Sequence, residues 1–105
     1  MIIPRILLSL ITKKKNKHLI EEWTMLIREN ILEIRAAQLT NDVVSLLSCV
    51  LIISIIMEEA GRLGIKNDLI LYANENMNKR NGKYFEQVLL VIKDFPEYID
   101  IKVKD

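Results

Sequence analysis

The residues best suited to chemistry in this chain are acidic side chains at helical spacing. Glu21, Glu22, Glu29 and Glu33 fall on one segment, and Asp42, Glu58 and Glu59 on the next. Hard cations such as Mg²⁺ take oxygen ligands. Carboxylates from two facing helices can hold one beside a phosphate, where it polarises the phosphoryl group and activates water. Glu22, Glu29 and Glu33 lie close to a common helical face, an arrangement that in most helices is simply a solvated surface. Other reactive groups are scarce. His18, the only histidine, sits at the basic start of a helix, and Cys49, the only cysteine, lies in an apolar run, so the usual zinc sets are excluded. With 3 glycines the chain has no Gly-rich phosphate-binding loop.

The elements that must position these side chains read as helices. Leu19, Ile20, Trp23, Leu26, Ile27, Ile31 and Ile34 line one face of a helix over 17–37, with Glu22, Arg28, Glu29, Glu33 and Arg35 mostly elsewhere. Thr40 and Asn41 are suited to N-capping, and Asp42 behind them places negative charge in the first turn of a helix running to about Leu63. Within it, Val43 to Met57 is apolar all round, which demands cover on most sides and predicts burial against a second subunit. Gly61 and Gly64 suit the end of that helix. Asn67 suits the cap of a third, from Asp68 to about Arg80, with Leu69, Ile70, Ala73 and Met77 as its apolar stripe. Asn81-Gly82 reads as a turn. The run Val88 to Ile92 fits either a strand or a helix end, Phe95-Pro96 reads as a break, and Ile99, Ile101 and Val103 alternate as in a half-buried strand.

The expected fold is therefore mainly α, a small helical bundle completed by oligomerisation, with a short C-terminal β-hairpin as an open variant. A single domain over 1–105 divides into an apolar and basic segment (1–16), a helical core (17–83) and a C-terminal extension (84–105). At 105 residues, half hydrophobic but only 6% aromatic, the core must be built from Ile, Leu, Val and Met. A net charge of +1 offers no field to attract nucleic acid. The lone cysteine fits a buried, inert thiol in a reducing cytoplasm. Met1 to Ile11 is interrupted by Pro4 and Arg5, and its lysines follow the apolar stretch, the wrong order for a signal peptide. Val43 to Met57 is shorter than the roughly twenty residues of a membrane span and contains serines, so a core helix is expected rather than a membrane segment.

From Lys17 to Lys83 the order of elements resembles the MazG-like, all-α nucleoside triphosphate pyrophosphohydrolases, in which a Glu-Glu-x-x-Glu helix faces a helix bearing Glu-x-x-Asp. Here His18 to Met25 stands for the first motif and Leu39 to Val44 for the second. Leu63-Gly64-Ile65 resembles the family's junction, and Asn76 to Lys83 its late Lys/Asn/Arg-rich helix end. Met25 and Leu39 occupy positions where the family carries acids. The resemblance implies that Glu22 and Asp42 hold Mg²⁺ on nucleotide phosphates, that Glu21 acts beside Glu22 as a catalytic ligand or orienting group, and that Lys79 and Arg80 neutralise phosphate charge. Glu29, farther along the same helix, would stand in for a missing ligand. The competing expectation is a non-catalytic, oligomeric helical interaction or regulatory protein whose interface is the apolar helix at 43–57.

Overall fold

A computed structural model describes the backbone from Arg5 to Lys104 and the side chains from Lys15 to Asp94. Over that range the chain is an all-α bundle: α1 (Arg5–Leu39), α2 (Val43–Arg62), α3 (Lys66–Glu75) and α4 (Lys79–Lys104). No glycine or proline interrupts Arg5 to Leu39, so α1 starts well before the expected residue 17 and takes the Lys13 to Lys17 run into the helix. The apolar stretch Met1 to Ile11 falls outside the residues whose side chains are described.

Two connections fix the bundle, and backbone geometry closes both in the same way. At the end of α1, Asn41 adopts a left-handed φ of 55°. The Asp42 N–H then donates to the Ala37 carbonyl at 2.9 Å, and the Asn41 N–H to Gln38 at 3.4 Å. At the end of α2, Gly64 takes φ 73°. There the Ile65 N–H donates to Ala60 at 2.9 Å, and the Gly64 N–H to Gly61 at 3.2 Å. These are paired six-to-one and five-to-two bonds around a left-handed residue, which satisfy carbonyls that a helix end otherwise leaves free. Asn41 therefore closes α1 instead of capping α2. The cap is Asp42, whose carboxylate accepts from the Ser45 N–H at 3.1 Å and the Ser45 hydroxyl at 2.7 Å. Gly61 lies inside α2, and Gly64 alone serves as the stop.

The core joins Ile27, Ile31 and Ile34 of α1 to Val50, Ile53, Ile56, Met57 and Ala60 of α2, with Leu69 and Ala73 of α3 and Phe85 and Val88 of α4 beneath them. Both α3 and α4 pack against α1 and α2. The aliphatic character was expected, but Phe85 is the largest fully buried side chain among the described residues. Leu26, placed on the inner face by spacing alone, is 43% exposed, because the buried arc of α1 centres one residue later. Cys49 is buried, and burial first, then the negative charge of Glu33, pushes its thiol up, which keeps it protonated.

The second half of the chain departs most from expectation. α3 begins at Lys66 without a side-chain cap, so Asn67 lies inside its first turn, and it ends at Glu75 instead of near Arg80. Asn78 starts α4, its side-chain oxygen accepting from the Asn81 N–H at 2.8 Å. Asn81-Gly82 is consequently helical and not a turn. α4 then continues through Val88 to Ile92 and across Phe95-Pro96 to Lys104, replacing both the break and the hairpin. A nucleated helix extends at little cost, whereas an isolated two-stranded hairpin is marginal in water.

Candidate functional site

The carboxylates expected to share a cation lie at different places along α1. Glu22 is exposed and meets His18 at 3.2 Å, one turn earlier on the same helix. Glu21 is half-buried and Glu29 exposed. Asp42 is tied to Ala37 by its own N–H, which anchors it at the far end of α1. Fifteen helical steps lead from Glu22 to Ala37, and at a rise of about 1.5 Å each they span roughly 22 Å. One Mg²⁺ requires its oxygens about 2.1 Å away, so Glu22 and Asp42 of one chain do not meet on a single ion. Both oxygens of Asp42 already accept from Ser45, the hydroxyl first and the amide second, which holds its carboxyl below the usual aspartate range. Among the described residues no three His, Cys, Asp or Glu side chains gather to hold a metal. The residues present do not fit Mg²⁺ within one subunit.

Lys79 and Arg80 stand exposed in the first turn of α4. Lys79 borders a cleft of about 540 Å³ between α3 and α4, together with Asn74, Lys83 and Glu86, while Arg80 does not line it. Glu86 offsets part of the lysine charge. No carboxylate of α1 reaches this cleft, so the expected phosphate-binding and metal-binding groups are not brought together.

Two polar features escaped sequence reasoning. Arg35 donates to the Asn81 side-chain oxygen at 2.8 Å, and its guanidinium lies 5.7 Å from the Tyr84 ring centre, fastening α1 to α4. Forty-six positions separate Arg35 from Asn81, and nothing local in the sequence signals such a pair. Thr24 is 3% exposed in α1, and its hydroxyl has no hydrogen-bond partner among the described residues. Its place between Trp23 and Ile27 on the inner face was the available clue.

The most extensive feature is apolar. α2 buries Cys49, Val50, Ile53, Ile56, Met57 and Ala60 on one side, yet on the other leaves Val44 76%, Leu47 56%, Leu51 49% and Ile55 58% exposed. By length and composition α2 is sufficient to cross a membrane, although a third of it is buried within the bundle. Drawing it out would uncover the α1 and α3 residues packed on its inner side. Comparison with known proteins finds no matching family model, curated protein or solved structure.

Proposed function

We propose that this chain is a non-catalytic helical interaction module that assembles with a second copy of itself through the outward face of α2. The observation that carries this reading is the continuous row Val44, Leu47, Leu51 and Ile55, exposed on a helix whose opposite side forms the core. Rows of this kind on soluble chains mark protein or membrane contacts. The inner side ties α2 to three neighbouring helices, which favours a protein partner over a bilayer. A net charge of +1 opposes self-association only weakly.

Leu51→Glu tests the reading, because half of Leu51 is already solvent-exposed and the bundle tolerates the change. Sedimentation equilibrium is expected to give a dimer or larger assembly for the wild-type chain and a 12.2 kDa monomer of unchanged helix content for the variant. A wild-type chain that stays monomeric, or a variant that assembles as before, overturns the proposal. Release of pyrophosphate from a nucleotide panel with Mg²⁺, abolished by Glu22→Ala or Asp42→Ala, would overturn the non-catalytic assignment.

A further inference from the structure

The outward surface of α2 carries a pattern finer than its hydrophobicity. Val44, Ser48, Leu51, Ile55, Glu58 and Arg62 recur at alternating steps of four and three, the seam spacing of a two-stranded helical pair. The seam is apolar toward the start of the helix and charged toward its end. A parallel pair would set Glu58 against Glu58 and Arg62 against Arg62, both like-charge contacts. An antiparallel pair removes both, and its possible registers differ by whole heptads.

Resting on the self-association proposed above, we infer that two copies pair their α2 helices antiparallel, with the two-fold axis passing beside Ile52. In this register Leu51 meets the partner's Ile55 on each side of the axis. Outside them Ser48, a hydroxyl donor, meets the partner's Glu58, a carboxylate acceptor. Leu47 then lies over the partner's Gly61, where the only side-chain atom near the position of a missing Cβ is Lys66 Cδ at 3.9 Å. Large meets small, donor meets acceptor, Ile52 meets its own copy on the axis, and Val44 lies against the methylene stem of the partner's Arg62, whose guanidinium reaches past it to water. Sliding one heptad in one direction packs Glu58 against Ile55. Sliding in the other leaves Glu58 and Arg62 beyond the overlap and moves Leu47 off Gly61. Neither shifted register gathers all of these complements.

Cysteine cross-linking distinguishes the registers. Ile52→Cys is expected to oxidise to a species of twice the 12.2 kDa chain mass on non-reducing gels, because a residue beside a two-fold axis faces its own copy, the arrangement a disulfide requires. Val44→Cys is expected to remain single, since its copies lie at opposite ends of the pair. The wild-type chain serves as the blank, its Cys49 thiol being buried. Ser54→Cys, also beside the axis, repeats the test should Ile52→Cys fold poorly. Cross-linking of both Ile52→Cys and Val44→Cys denotes a parallel pair and overturns the inference. So does a dimer by sedimentation in which neither Ile52→Cys nor Ser54→Cys cross-links, an outcome that leaves self-association standing. A monomeric wild-type chain removes both proposals together.

Discussion

Replacing Thr24 by valine should make this protein more stable, although it deletes a polar group. The Thr24 side chain is 3% exposed, and its hydroxyl has no partner among the described residues. A hydroxyl that loses water on folding and gains no hydrogen bond costs about 1–3 kcal/mol. Valine keeps the branched shape and replaces the hydroxyl with a methyl, whose burial adds about 0.8 kcal/mol. Helix propensities of the two residues are close. A short rotation toward the carbonyl one turn back would recover part of the penalty in the native protein, which places the expected gain at the lower end, about 1–2 kcal/mol, or roughly 4–16 °C in midpoint for a domain of this size. The assay is thermal unfolding followed by far-UV circular dichroism, with urea unfolding for the slope, at one fixed chain concentration because any assembly shifts the apparent midpoint. Thr24→Ser keeps the hydroxyl and loses the methyl, so it should be less stable than wild type by about 1 kcal/mol. A Thr24→Val midpoint at or below wild type, with unchanged slope, would show that the hydroxyl is satisfied and refute the reasoning.

The closing glycine of α2 gives a second expectation: Gly64→Ala should lower stability by about 1–2 kcal/mol, purely through its backbone, since φ is 73° and nothing stands within 4 Å of the added carbon. Gly64→Asn, which tolerates that conformation better, should lose less, and thermal melts of the pair check the order. The cap of α2 gives a third. Because the Ser45 hydroxyl and amide hold the Asp42 carboxyl below its ordinary value of 3.8, its stabilising charge is fully present above that pH and disappears as pH falls through the lowered native value. Asp42→Asn should therefore be less stable than wild type at neutral pH and converge with it in strong acid. A stability gap that persists unchanged to the lowest pH would contradict this.

What the sequence disclosed followed the reach of each signal. The inner face of α1 was legible because helical periodicity repeats over several turns, and the excess apolar surface of α2 because composition alone demands cover for it. Single-residue roles were less so. Asn41 and Asp42 are both competent caps, and which one closes α1 and which one opens α2 depends on the left-handed conformation at Asn41. Asn81-Gly82 has turn-forming chemistry, yet Asn78 caps ahead of it and Arg35 holds it from another helix. The carboxylates of the candidate metal site were correctly placed on α1 and at the start of α2. Their separation was legible as well, since a helix expected to end at residue 37 already sets Glu22 and Asp42 roughly 22 Å apart; only the family resemblance put them on one ion.

The tight closure between α1 and α2 also bears on how the chain assembles during synthesis. These helices make a hairpin from contacts close in sequence, the kind that forms fastest. Both helices emerge ahead of α3 and α4, so this hairpin is free to form first. A nascent chain at that stage presents α2 with apolar side chains still uncovered on both its inner and outer sides, and two such chains on one message can meet through either. Arrival of Phe85 and Val88 covers part of the inner side, so α4 shortens the time over which that side is open to a second chain. Slow translation after residue 62 should prolong that exposure and raise the share of swapped assemblies.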